Sequence, residues 1–154
     1  MKSKTLLIVI ALCFATGTAC FAANANMGTW KLNTKKSKLA GGGNRNNTVV
    51  YSSMLFQTKV TIDGTDAKGK PMHSEWSGQF DGKDHAVTGD AMEDMRAYTK
   101  VDDHTLNFTM KKAGKVVVTG RIVVAPDGKS RTVTTISTDA KGKKVRSTAV
   151  YDKA

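Results

Sequence analysis

The chain has 154 residues, with 24 Lys and Arg against 13 Asp and Glu, a formal net charge of +11 at pH 7. That length suits one domain with a real core. Its only two cysteines, Cys13 and Cys20, lie in the first twenty residues, which excludes a disulfide framework or a cysteine-based zinc site in the rest of the chain. A basic excess of this size admits nucleic acid, anionic lipid or acidic polymer as partners. Many of the lysines, however, fall in predicted turns (Lys68, Lys70, Lys83, Lys129, Lys141 and Lys143), where they favour solubility and guard strand edges.

The N-terminus has the pattern of a secretory leader. Lys2 and Lys4 form a charged start, and Leu6 to Phe14 form an apolar run too short to span a bilayer. Ala23-Asn24-Ala25 fits a small-x-small cleavage site, with Cys20-Phe21-Ala22 as an earlier one. The expected division is therefore a signal peptide over 1–25 and a single domain over 26–154, exported to a periplasmic or extracellular location. Gly17-Thr18-Ala19-Cys20 leaves open a lipoprotein anchored at Cys20. Removing Lys2 and Lys4 brings the net charge to +9.

Beyond the leader the chain reads as short alternating segments broken by turn signals, and no stretch has a helical period. The first strand is predicted over Gly28–Asn33, followed by a loop rich in Lys, Gly and Asn over Thr34–Asn47. Gly41-Gly42-Gly43 there is too costly in backbone entropy for a helix. A strand over Thr48–Ser52 leads to Ser53–Gln57, which reads as a turn although it carries Met54-Leu55-Phe56. These three apolar residues are either a continuation of the strand or an exposed tip that meets a membrane or borders a portal; continuation is the simpler expectation. Thr58–Asp66 is the next strand, then a turn at Asp66-Ala67-Lys68-Gly69-Lys70. Over Met72–Phe80 the alternation sets Met72, Ser74, Trp76, Gly78 and Phe80 inward, with His73 and Glu75 outward. Further strands are predicted over His85–Thr88, Glu93–Val101, Thr105–Lys111 and Lys115–Ala125. The last of these has Val on both faces and is expected to be buried on both sides for part of its length. Arg131–Thr138 and Lys144–Tyr151 close the series through a second Asp-Ala-Lys-Gly-Lys turn at Asp139.

Nine or ten strands joined by short turns predict an all-β, antiparallel up-and-down β-barrel of 8–10 strands, because closure removes both free sheet edges. A β-sandwich satisfies the same alternation. Two stretches resemble the calycins, the lipocalins and fatty-acid-binding proteins: Gly28-Thr29-Trp30-Lys31-Leu32 is similar to their entrance strand, and Ser147 to Ala154 to the closing strand of fatty-acid-binding proteins. The chain also resembles small exported bacterial lipocalin-like proteins that begin with a comparable Gly-Thr-Trp-Lys-Leu-Asn stretch. The resemblance implies a monomeric, non-enzymatic carrier of a small apolar or amphipathic, lipid-like ligand. Fatty-acid-binding proteins hold a carboxylate with Arg-x-Tyr in the last strand; here Tyr151 is present and Ala149 stands at the Arg position. Another inward cation is needed, and Arg96 and Arg121 are the candidates.

The expected ligand-binding residues are Trp76, Phe80, Leu106, Phe108, Met110, Arg121 and Tyr151, with Val60, Ile62 and Val118 completing the lining. Trp30 is expected at the barrel base, capped by Arg121 or Arg146 through cation–π stacking, as the lipocalin resemblance implies. His73, His85 and His104 are not at metal-ligand spacing, and Asp84-His85 and Asp103-His104 fall at turns, so no catalytic residue, metal or cofactor is expected. No phosphate loop or nucleophile elbow is present, and the few aromatics do not cluster with lysines, which argues against nucleic acid. The alternative function is a basic surface module that meets an anionic envelope component, such as a membrane surface, or a protein.

Overall fold

The computed structural model describes residues 24–154. The predicted signal peptide therefore lies outside the described residues, apart from Asn24 and Ala25. Ten strands follow in order: β1 (Gly28–Leu32), β2 (Arg45–Met54), β3 (Gln57–Thr65), β4 (Pro71–Gly78), β5 (His85–Thr88), β6 (Met95–Lys100), β7 (Thr105–Lys112), β8 (Lys115–Val124), β9 (Ser130–Thr138) and β10 (Lys144–Lys153). Each pairs antiparallel with its sequence neighbours, and β1 pairs with β10, so the sheet closes into a barrel. The sandwich alternative is excluded, and the inward faces of all ten strands share one interior.

Up-and-down connectivity makes the turns alternate between two ends. One end is sealed. Here Trp30 is fully buried, and its indole Nε1 donates to the carbonyl of Asn26 at 2.7 Å. The segment before β1 thus folds under the barrel and plugs it. The other end is crossed by the long β1–β2 connection, tied down by a bridge between Lys38 and Thr148 and by Asn44 Nδ2 donating to Asp90 Oδ1 at 2.9 Å.

The alternation read from Met72–Phe80 is observed: Ser74, Trp76 and Gly78 are buried while His73 is exposed. Three details differ from expectation. Strand β2 begins at Arg45, within the predicted loop, where a bulge between Asn46 and Thr48 absorbs the irregular residues. The β2–β3 reversal is a two-residue turn at Leu55-Phe56, inside the turn read over Ser53–Gln57; the strand continues only through Met54, and Leu55 and Phe56 form an exposed tip. Leu55 is 101 % exposed and Phe56 85 %, and Leu55 has φ 30°, a backbone region suited to glycine. The tip lies at the sealed end, so it borders no portal. Finally, β8 is not buried on both sides. A bulge after Met110 shifts the register and turns Val116 outward, and Val123 is also exposed. Strand β5 is the thinnest part of the wall, paired through only two residues to each neighbour.

Candidate functional site

The barrel interior is unevenly filled. Trp76, Phe80, Tyr98, Tyr51 and Phe108 form a continuous aromatic cluster with ring centroids 4.8–6.4 Å apart. Gly120 makes room for it, since a Cβ there would come within 2.2 Å of the Phe108 ring. Beside this cluster, toward the crossed end, a cavity of about 130 Å³ remains. Its wall combines apolar side chains, among them Leu32, Val49, Ile62, Met110, Ile122 and Val133, with Tyr51, Tyr98, Tyr151, Arg96 and Arg131.

Two arginines reach this space, and they differ in their partners. Arg96, 4 % exposed, is neutralised: its Nε and Nη2 donate to the two oxygens of buried Glu93, and its Nη1 donates to the Tyr98 hydroxyl at 3.0 Å. Burial pushes the Glu93 carboxyl above its usual range, and Arg96 partly opposes that rise. Arg131, 2 % exposed, has no carboxylate partner among the described residues. Its guanidinium lies over Trp30, Tyr51 and Tyr151, 4.8, 4.9 and 5.1 Å from the ring centroids. Its Nε and Nη1 are buried with no hydrogen-bond partner. The described interior therefore holds one uncompensated positive charge, cushioned by ring faces and with free donors. Burial raises both Tyr98 and Tyr151, the latter to about 12, so both hydroxyls stay protonated at neutral pH. Tyr151 donates to the carbonyl of Asn46 at 3.0 Å, which aims its ring across the cavity.

Of the residues expected to bind a ligand, Phe108, Met110 and Tyr151 line the cavity, as does Ile62. Trp76, Phe80 and Leu106 are in the packed core and do not border it; Trp76 donates its indole N–H to the carbonyl of Arg96 at 2.9 Å. Val60 and Val118 also belong to the core. Arg121 requires correction in both of its expected roles. It is exposed on the outer face of β8, where Nη1 donates to Asn107 at 3.2 Å, because Ile122 and Val124 take the inward positions. Arg146 is likewise exposed, and the cations over Trp30 are Arg131 at 4.8 Å and Lys153 at 5.1 Å from the ring centroid. Arg96 faces inward as one of the two cations proposed.

Arg131, Glu93 and Tyr98 are interior polar groups that the sequence did not single out. In β9 neither alternate face is clearly apolar: Arg131, Val133, Thr135 and Ser137 oppose Thr132, Thr134, Ile136 and Thr138. Pairing with Ile122 and Val124 of β8, opposite Val133 and Arg131, is what fixes the inward set. His73 sits outside as expected, with Nδ1 2.6 Å from Asp63 and Nε2 3.5 Å from Glu75. No group of His, Cys, Asp and Glu with metal-binding geometry occurs among the described residues.

Among solved structures the chain is similar to EF1p2_mFAP2b bound to DFHBI, with 13 % identity, 86 % of this chain and 97 % of that one covered, and a TM-score of 0.50. A redesigned beta barrel, mFAP1, also bound to DFHBI, matches with 18 % identity over 86 % of this chain and 98 % of its own, at a TM-score of 0.47. At 13 % identity the first likeness is one of fold, a closed antiparallel barrel. No protein-family model matches the sequence. No curated protein matches it either.

Proposed function

We propose that this is an exported, non-enzymatic binding protein that holds one small amphipathic molecule in its barrel, with the anionic or acceptor end of that molecule on Arg131. The observation that carries the reading is the pair of unpartnered guanidinium nitrogens, buried beside a cavity. A buried cation without a counter-charge is expensive, and an anionic group would supply both the charge and the missing acceptors. The resemblance of Gly28 to Leu32 to calycin entrance strands supports the same reading, as does the small-molecule complex of the barrel matched in fold.

Cavity size narrows the ligand. An engineered cavity of about 150 Å³ accepts benzene, whereas drug-sized ligands occupy about 300–1,000 Å³. The space here, about 130 Å³, suits a short-chain or single-ring monoanion of about six to eight heavy atoms by that comparison. A long-chain lipid exceeds it. The polar groups around it suit the holding of a ligand's polar end: Arg131 and Arg96, Tyr98 and Tyr151, which remain protonated, and the side chains of Asn44, Asn46, Thr135 and Ser147.

Native mass spectrometry of protein purified from cells expressing the full chain tests this, together with NMR titration of benzoate and its neutral analogue benzamide. The reading expects one small adduct per chain or, in stripped protein, benzoate-specific shifts of Tyr51 and Tyr151 that Arg131→Met abolishes. A clean apo mass with no response to benzoate would sink it.

A further inference from the structure

Charge is segregated between the two ends of the barrel. Counting the connections and the strand termini that flank them, the open end carries eleven Lys and Arg against five Asp and Glu. The sealed end carries four against five. The excess is further confined to one arc. Strand order runs β9, β10, β1, β2, β3, β4. The β9–β10 turn, the β1–β2 connection and the β3–β4 turn are therefore neighbours around the rim. Together they present Lys141, Lys143, Lys35, Lys36, Lys38, Lys68 and Lys70, all exposed.

The two flanking turns are the same device built twice. In Asp66-Ala67-Lys68-Gly69-Lys70, Asp66 Oδ1 accepts the backbone N–H groups of Lys68 and Lys70 at 2.8 and 2.9 Å. In Asp139-Ala140-Lys141-Gly142-Lys143, Asp139 Oδ1 accepts those of Lys141 and Lys143 at 2.9 and 2.8 Å. In each turn the only acid is engaged with the backbone. No carboxylate among the described residues lies within ion-pairing distance of the four lysine ammonium groups. The turns hold their shape through aspartate and glycine, and the lysine side chains are left free.

We propose that this lysine arc docks the open end of the barrel on an anionic phospholipid bilayer. Apart from Arg45 at the start of β2, the exposed cations of this arc are lysines, which act as hydrated point charges suited to a diffuse anionic plane, whereas close recognition of individual phosphates favours the planar fork of arginine. The single large exposed aromatic of the described chain, Phe56, is at the opposite end, so the arc has no stacking platform for nucleic-acid bases. Leu39, 37 % exposed, sits within the same arc beside Lys38; it borders the cavity on one side and leaves the rest of its surface as the arc's apolar contact. The inference concerns the outer rim and stands apart from the occupancy of the cavity.

The test is vesicle co-sedimentation of the full chain at low salt, comparing phosphatidylcholine alone with phosphatidylcholine containing phosphatidylglycerol. Wild-type protein should sediment only with the anionic vesicles and be released by salt. Lys68→Gln, Lys70→Gln, Lys141→Gln and Lys143→Gln combined should weaken binding at least about thirtyfold, with an unchanged circular dichroism spectrum and melting curve. Undiminished binding by that variant overturns the proposal, as does no binding by the wild type. Equal binding to neutral vesicles also overturns it and transfers the role to the Leu55-Phe56 tip, where Leu55→Ser with Phe56→Ser would abolish it. Tighter binding to heparin or duplex DNA than to the vesicles replaces the bilayer by a soluble polyanion.

Discussion

Replacing Arg131 by Met separates a binding cation from a structural cap. Met has a similar length, is apolar, and fills the same site over Trp30, Tyr51 and Tyr151. The substitution loses cation–π attraction, worth up to about 2 kcal/mol per desolvated ring. One cation shared among three rings at 4.8–5.1 Å gains less than three full contacts, about 2–5 kcal/mol in total. The substitution also removes two unsatisfied buried donor nitrogens, each costing about 1–3 kcal/mol. The two contributions nearly cancel. Urea unfolding of ligand-free protein, followed by tryptophan fluorescence, should therefore show a change below about 2 kcal/mol, while ligand binding is lost. Removing one member of a satisfied buried ion pair instead costs about 3–5 kcal/mol. A loss in that range with ligand retained would refute the reasoning and make Arg131 a structural cap alone.

Glu93→Gln strips Arg96 of its counter-charge within the core and should destabilise by about 3–5 kcal/mol, measurable by the same unfolding assay; a neutral result would mean that Tyr98 alone satisfies Arg96. Replacing Leu55-Phe56 with Asn-Gly relieves the φ of 30° at Leu55 and should raise stability by about 1 kcal/mol, read as a higher melting temperature; a lower one contradicts the strain argument. At His73 the hydrogen bond to Asp63, helped by Glu75, raises the imidazole above 6.5. The folded state therefore favours the protonated ring, a contribution complete below pH 6.5 and lost as pH rises through the folded value. His73→Gln should remove that part of the pH dependence of stability, and an unchanged profile would show that the contact is absent in solution.

The barrel was legible because period-two alternation is strong wherever one face carries large apolar groups. Met72–Phe80, with Trp76 inward, is the clearest case, and Gly28 to Leu32 marked the base. The site was less legible. Arg121 sits on a valine-rich strand whose two faces look alike, and only the register with β7 and β9 turns it outward. Arg131 lies on a threonine-rich strand with no amphipathic signal of its own, so its inward direction is inherited from β8. The Leu55-Phe56 turn breaks the usual turn chemistry, which is why a continuing strand was the simpler expectation. Glu93 is buried outside any strand and carries no periodic signature.

The thinness of β5 has a consequence for the molecule in motion. Closure leaves the native barrel without edges, but only two paired residues on each side hold β5 in place. Release of this four-residue strand would convert β4 and β6 into two unpaired borders at once and bare the Trp76 side of the core. Local opening of this kind needs far less than global unfolding. Amide protons of β5 should exchange first, and intermolecular strand addition, the usual route to aggregation in sheet proteins, would begin at the gap it leaves.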